Sequence, residues 1–311
     1  MRNRRGFALI LTLIITTLLI ALVTEFIHEV YVETTLRRSY RDGQQALLMA
    51  DSGIMGGTRL LQTVLSAQSY TSLNDPWKSK PLHLEDERGV LDVFIEEESG
   101  KLNLNTVVPP SGEYGGSYPA GVLSRLLKRL KLPTDELLDP LADWLDENDE
   151  PHRSGAEAGW YGRLKPPYLP RNGPLQTVEE LRLVKGFTTA VFAALRPYLT
   201  VYPDNPGAPT APVNINTASP EILASLDESM SDDLVKRIID RRKSEPFKNS
   251  ADLVTVPGLE QIATGLQTRI TTKGAVYRLL ATARVGEISR TVEAVVRVGG
   301  SRAEFLYWRE Y

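Results

Sequence analysis

Hydrophobic and polar positions divide the chain into three stretches. Phe7 to Val23, FALILTLIITTLLIALV, runs seventeen residues without a charge, close to the roughly 20 apolar residues that cross a bilayer as a helix. Arg2, Arg4 and Arg5 precede it, and basic residues keep that end on the cytoplasmic side of a membrane. Apolar residues then recur at helical spacing at Leu36, Tyr40, Leu47, Ala50, Ile54, Leu61 and Leu65, with no proline before Pro76. This predicts one helix over 7–66, spanning the membrane over 7–27, although Gly53, Gly56 and Gly57 weaken it. At 1.5 Å per residue such a helix reaches on the order of 90 Å.

After a loop at Asp75-Pro76-Trp77 the period changes. GVLDVFIEEESGKLNLN alternates through Val90, Asp92 and Phe94 as a strand that enters a turn. AVYRLLATARVGEISRTVEAVVRV reads as two strands joined around Val285-Gly286-Glu287. Between these lies a proline-rich, helix-rich middle. Residues 67–102 and 274–311 therefore form one helix-on-sheet unit, split by an inserted α-helical domain over 103–273.

A chain of 311 residues is long enough for an anchor and two packed units. Its formal charge of -3 gives no general basic field, which disfavours wrapping nucleic acid. Cysteine is absent, so there is no disulfide framework, thiol nucleophile or thiolate metal site. His28, His83 and His152 are scattered, and neither G-x-S-x-G nor H-E-x-x-H occurs. The chain is therefore expected not to be an enzyme.

A secretory signal would close on small residues after its apolar core, but Thr24, Glu25, Phe26, Ile27, His28 and Glu29 follow here. Gly6-Phe7 instead ends a short basic leader (1–6), and this resembles the type IV prepilin and pseudopilin processing site. The resemblance implies cleavage after Gly6 and N-methylation of Phe7 by the membrane prepilin peptidase. An uncleaved signal anchor is the other reading of the same residues. Most members of that family carry a glutamate as the fifth residue after the cut, where it meets the terminal amine of a neighbour. This chain has Leu11 there. A carboxylate inside lipid is costly unless paired, so a leucine suits a subunit that recruits no neighbour ahead of it.

The insert echoes itself. KLNLNT at Lys101 to Thr106 resembles PVNINT at Pro212 to Thr217, and LQTVEELRLVKGF at Leu175 to Phe187 parallels FKNSADLVTVPGL at Phe247 to Leu259. Each of the latter reads as a capped short helix ending in glycine, so the insert is a duplicated helical unit. Its second half resembles a helix-hairpin-helix (SAM-like) repeat, which grips phosphate through a glycine-rich hairpin. That hairpin position reads Asp227-Glu228-Ser229-Met230-Ser231-Asp232-Asp233, with four carboxylates and no glycine. Lys236, Arg237, Arg241, Arg242 and Lys243 supply the basic group. No nucleic acid is expected, and a membrane-anchored DNA-binding protein is the alternative.

The first half contains Asp143-Trp144-Leu145-Asp146, an acidic loop, Gly155-Ala156-Glu157 and the aromatic pair Trp160-Tyr161. Asp139, Asp143, Asp146, Asp149 and Glu157 crowd this loop, and hard oxygen ligands at that density suit calcium, although the EF-hand spacing is not met. Helix-start and surface acids are the plainer reading. Trp144, Trp160, Tyr161 and Tyr168 read as core or partner-facing aromatics rather than a sugar-stacking site.

Processing site, spine and insert together resemble the K-type minor pseudopilins of type II secretion systems, which also lack the fifth-position glutamate. The resemblance implies an α+β fold, with a long transmembrane spine helix on a small antiparallel, pilin-like sheet. It also implies a place at or near the tip of the periplasmic pseudopilus, initiating and capping the filament while folded proteins leave the cell. Calcium held by Asp143, Asp146, Asp149 and Glu157 is likewise implied. So are an inner-membrane anchor with a cytoplasmic N-terminus, and a large C-terminal domain in the periplasm of a Gram-negative bacterium. The implied partners are the other minor pseudopilins through the N-terminal helices, the prepilin peptidase, and the secreted substrate or outer-membrane secretin.

Overall fold

A computed structural model describes residues 4–79, 82–208, 210–299 and 302–311. Of the expected leader, Met1, Arg2 and Asn3 lie outside the described residues. One helix, α1 (Arg4–Ala67), opens the chain. Every described side chain from Gly6 to Arg41 is exposed. Ala46, Ala50, Ile54, Leu61 and Leu65 are buried at the i, i+4, i+7 spacing that forms one face. Leu36 and Tyr40, expected to continue that buried face, are instead 65% and 71% exposed, because the sheet begins only above them.

The Asp75-Pro76-Trp77 segment starts a short helix rather than a loop, α2 (Pro76–Ser79). Asp75 accepts from the Ser72 N–H at 3.0 Å and from the Trp77 indole at 3.1 Å. Trp77 is thereby buried edge-to-face on Tyr277. The strands β1 (Leu82–Asp86) and β2 (Gly89–Glu97) follow. The chain then enters the insert, whose regular elements are β3 (Leu102–Asn103), α3 (Tyr118–Arg129), α4 (Asp135–Leu145), α5 (Ala158–Tyr161), α6 (Thr189–Leu195), β4 (Leu199–Thr200), β5 (Val213–Asn214), α7 (Pro220–Ser225), α8 (Asp232–Ser244), α9 (Glu260–Leu266) and β6 (Ile270–Thr271). It returns through β7 (Val276–Val285), β8 (Ile288–Gly299) and β9 (Arg302–Glu310).

The sheet is antiparallel in the order β1-β2-β7-β8-β9. Leu91, Val93, Ile95, Leu279, Ala281, Val292 and Ala294 form its inner face and pack on α1. The helix glycines make that contact close. A Cβ on Gly53 would stand 2.9 Å from Val93, and one on Gly57 would stand 2.7 Å from Leu279, so both are glycines of close approach. β1 and β9 extend the sheet beyond the three strands legible from the pattern. Both are edge strands with mostly exposed side chains, so neither carries the alternation that betrays a half-buried strand.

The duplication is real in three dimensions. Each half opens on a two-residue strand that pairs in parallel with a strand at its own end, β3 with β4 and β5 with β6. Each echo of LNLNT places an asparagine in the same role. Asn105 Nδ2 donates to the carbonyls of Leu175 and Val201, and its Oδ1 accepts from Leu175 N–H. Asn216 does the same toward Phe247 O, Thr272 O and Phe247 N–H. The second echo forms a 3-10 helix in each half, Val178–Leu183 and Ser250–Thr255, each with a capping box, Thr177 with Glu180 and Asn249 with Asp252. Gly186 and Gly258 follow with φ of 87° and 89°.

One hydrophobic core runs through both halves and reaches Val295 on the outer face of the sheet. The insert is seated through Glu97 at the end of β2. Its Oε1 accepts from Asn214 Nδ2 at 2.6 Å and from the Thr217 hydroxyl at 3.1 Å, while Asn214 also donates to Thr71 just beyond α1.

Candidate metal centre

α4 and the loop after it assemble the acidic residues. Asp139 and Asp143 lie four residues apart, on one face of the helix, and Asp146 is its C-terminal cap. The returning loop supplies backbone donors to the first two. Ser154 N–H donates to Asp139 Oδ2 at 2.8 Å and the Tyr114 hydroxyl to Oδ1. His152 N–H donates to Asp143 Oδ1 at 3.0 Å, and Ala156 N–H to Oδ2 at 2.5 Å. Lys185 Nζ closes the loop from outside by donating to the carbonyls of Ser154 and Gly155, both at 2.9 Å.

Two acids are left bare. Asp146 and Glu157 are buried, and among the described residues none of their four carboxylate oxygens has a hydrogen-bond partner. Burying an ionised carboxylate without a partner costs several kcal/mol. Burial, and next the neighbouring charges of Asp143, Asp146 and Asp149, push the Glu157 carboxyl up to about 7. Burial also raises Asp146, with Asp143 adding to it, against the opposing pull of the Asn148 backbone and side chain and of His152. Glycines form the walls: a Cβ on Gly155 would run into Asp143 Oδ2, and one on Gly112 into Asp146 Oδ2.

Buried acid oxygens without partners fit a hard divalent cation, although Glu157 lies outside the group whose ligand atoms come together. Asp143, Asp146 and His152 bring ligand atoms within 4.8 Å of one another. Of the four residues singled out from the sequence, Asp146 and Glu157 hold the open oxygens, and Asp143 lies beside them but already serves the loop. Asp149 is exposed and accepts from Asn172 Nδ2 at 3.2 Å, placing it at the rim.

His152 was legible only as one of three scattered histidines, yet its Nδ1 lies 2.5 Å from Asp143 Oδ1. Burial pulls its pKa down, but the Asp143 hydrogen bond and the surrounding acids outweigh this and leave it raised. Gly112, Tyr114 and Lys185 also carry no signal in the sequence, and Gly155 was visible only within the Gly155-Ala156-Glu157 motif, because their roles depend on the loop's path. Trp144, Tyr161 and Tyr168 form a cluster of edge-to-face and tilted rings below the site, with Trp144 and Tyr161 buried.

At the other end of the molecule Gly6 and Phe7 lie in the opening turns of α1, Phe7 70% exposed, with Leu11 one turn on. Among the described residues α1 is the one helix long and apolar enough to cross a membrane. The acidic hairpin position opens as a loop after α7, and its last two aspartates begin α8. Asp232 pairs with Arg129 of the first half at 2.6 Å, and Asp233 with Arg237 at 2.7 Å. Arg242 is buried and donates to the carbonyls of Ile215 and Ala218. Of the basic group of α8, Arg242 thus ties the helix into the insert, while Lys236 and Lys243 are exposed.

Residues 100–204 and 213–273 match two sequence profiles described as type II secretion system (T2SS), protein K, and residues 5–54 match a PilX N-terminal profile. The type II secretion system protein K of Pseudomonas aeruginosa is 30% identical over 81% of this chain and 76% of its own length. The chain belongs to the type II secretion system protein K family. Protein K of Klebsiella pneumoniae is 27% identical over 84% of this chain and 82% of its own, and that of Aeromonas hydrophila 26% over 94% and 93%. A solved structure, the GspK-GspI-GspJ complex from the enterotoxigenic Escherichia coli type 2 secretion system, contains a chain with the same fold. The TM-score is 0.77 at 22% identity, covering 88% of this chain and 99% of that one. The two protein K profiles divide at the repeat boundary, the first running through β3 to β4 and the second through β5 to β6. Membership of the protein K family, the pilin-like helix on its sheet and the apolar α1 agree with a membrane-anchored minor pseudopilin.

Proposed function

We propose that this minor pseudopilin stands at or near the tip of a periplasmic pseudopilus. There it initiates and caps the filament through contacts with other minor pseudopilins, and so supports export of folded proteins. The observation that carries this reading is the pairing of an exposed apolar spine, bearing Leu11 where a recruiting carboxylate would stand, with a bulky insert seated on the far face of the sheet. The GspK chain with this fold was solved together with GspI and GspJ, which supports contacts with subunits of that kind. The proposed work is contact rather than catalysis, which membership of a family of secretion-system subunits supports.

Maturation is proposed to cut after Gly6 and methylate Phe7, leaving α1 in the inner membrane with its end cytoplasmic and the sheet and insert periplasmic. Intact mass and N-terminal fragmentation of protein purified from membranes test this, with loss of residues 1–6 and a methylated Phe7 expected. Gly6→Leu should leave the precursor unprocessed and stop secretion. Retention of Met1 in the native protein, or normal secretion by the unprocessed variant, would overturn the reading.

The metal centre is proposed to hold one structural calcium ion, with Asp146 and Glu157 as ligands beside Asp143. The ion supplies positive charge to four otherwise unpartnered oxygens and fixes the loop between α4 and α5. No nucleic acid is expected, and an electrophoretic shift assay on the protein should show no bound DNA at moderate salt.

A further inference from the structure

His152 brings a different chemistry to the centre between α4 and α5 from that of the acids around it. Asp143, Asp146 and His152 each offer one ligand atom, and the three atoms lie within 4.8 Å of one another, the one such group of acids and histidines among the described residues. Both carboxylates are fully buried, and among the described residues neither oxygen of Asp146 has a hydrogen-bond partner. Asp143 Oδ1 lies 2.5 Å from His152 Nδ1, and a carboxylate hydrogen-bonded in this way is what orients the ring of a ligand histidine. Nε2 makes no hydrogen bond among the described residues, and the side chain is 25% exposed. The ring therefore reaches the surface while the carboxylates do not, which gives an ion a path in.

The kind of ligand, more than its charge, decides which ion fits. Calcium takes roughly six to eight oxygen ligands, and Asp146 with Glu157 supplies oxygens of that kind. Imidazole nitrogen suits zinc and its transition-metal neighbours, and zinc is satisfied by about four ligands drawn from histidine, carboxylate and water. His152, Asp146 and Asp143 supply the protein's share of that set. The other two histidines lack such surroundings. His28 is exposed on α1, and His83 stands with Asp92 and Glu85, all of them 40% or more exposed, where water already solvates their charge. Cysteine is absent, so no thiolate competes for such an ion.

We propose that His152 gives this centre a second binding mode, in which Asp143, Asp146 and His152 take a zinc-class divalent cation in place of calcium. The assignment rests on the reading of the α4–α5 loop as a metal centre and names the nitrogen that divides one class of ion from the other. Asp146 serves both modes, since its two oxygens are the open ones nearest to His152 and to Glu157 alike. One ion therefore excludes the other. His152 belongs to the zinc mode alone and Glu157 to the calcium mode alone, so the two modes separate by single substitutions.

The test uses the full chain without an affinity tag, in detergent micelles, with zinc, calcium and cobalt ions as probes. Zinc should raise the melting temperature of the parent protein, and cobalt should give a visible absorption band of the low-coordinate, nitrogen-ligated kind. In His152→Gln the zinc shift and the cobalt band should be lost, with zinc affinity down by about tenfold or more, while the calcium shift remains. That retained shift, with an unchanged far-ultraviolet circular dichroism spectrum, shows the variant folded. In Glu157→Gln the calcium shift should be lost and the zinc response kept, and Asp146→Asn should lose both. Calcium added to the zinc-loaded protein should produce no further shift. A zinc response unchanged in His152→Gln, a cobalt band that disappears in His83→Gln instead, or zinc and calcium shifts that add would overturn the assignment. If zinc acts through His152 and calcium has no effect, the calcium reading falls and this one stands. If calcium acts and zinc does not, the reverse holds, and if neither acts both fall.

Discussion

Asp146 and Glu157 are the residues whose burial is least balanced by anything around them. Asp143 is held by two loop N–H groups and His152, whereas the four oxygens of Asp146 and Glu157 have no partner among the described residues. The proposed calcium ion therefore makes a prediction at the scale of two side chains. Calcium should raise the melting temperature of the protein and a chelator should lower it. In Asp146→Asn with Glu157→Gln the response should vanish, while stability in chelator does not fall. The pH dependence has a definite sign. Without metal the Glu157 pKa is pushed up to about 7, above its unfolded value. Apo stability is then fully present below the unfolded pKa and lost as pH rises through about 7. Protons compete with the ion over the same range, so the calcium-induced shift should be largest near pH 8 and shrink toward pH 5.5. A melting temperature indifferent to calcium at both pH values would remove the metal from the account.

At the scale of elements, the three glycines that weaken α1 as a sequence pattern divide by what they face. Gly56 has nothing within 4 Å of a built Cβ, while Gly53 would meet Val93, Leu91 and Ala281, all within 3.2 Å. Gly56→Ala should stabilise the protein by up to about 1 kcal/mol through helix propensity alone. Gly53→Ala gains the same propensity but crowds a packed sheet from three sides, where overpacking costs about 1–3 kcal/mol. It should come out net destabilising, and denaturant titration of the two variants side by side reads the difference. The same distinction explains what could be read from the residues. The spine, β2, β7 and β8 were legible because burial on one face imprints a period. β1 and β9 were not, since an edge strand with exposed side chains has no period to show. The LNLNT echo was visible as a repeat, but the reason for it was not. Asn105 and Asn216 each tie three backbone groups that lie distant in sequence. The acid-rich loop announced hard ligands, yet only the folded loop turns Asp149 outward and brings His152 in.

Across the whole molecule, α1, the sheet and the insert meet at Glu97. This carboxylate is buried, and burial, with a smaller contribution from Asp204, pushes its pKa up to about 7 against the hydrogen bonds from Asn214 and Thr217 that favour its charge. Among the described residues its Oε2 has no hydrogen-bond partner. Beside it Glu98 behaves oppositely: burial opposes its charge, but Lys101 and Arg278 outweigh that and hold it down to about 2. The junction therefore contains one acid that stays ionised and one that resists ionisation. Because the folded pKa of Glu97 lies above its unfolded value, its contribution to stability is complete below about 4.5 and is lost as pH rises through about 7. At about 1.4 kcal/mol per pH unit the gap between those values sets an upper figure of about 3 kcal/mol. Glu97→Gln keeps the acceptor for Asn214 and Thr217 and removes the charge. It should leave stability nearly unchanged at pH 5 and raise it at pH 8, flattening the decline seen in the parent protein. Glu98→Gln should instead destabilise at pH 8, since it removes the buried counter-charge that Lys101 and Arg278 share and leaves them only Glu96 and Glu293. Equal effects of both substitutions at pH 8 would mean that the junction is held by shape alone.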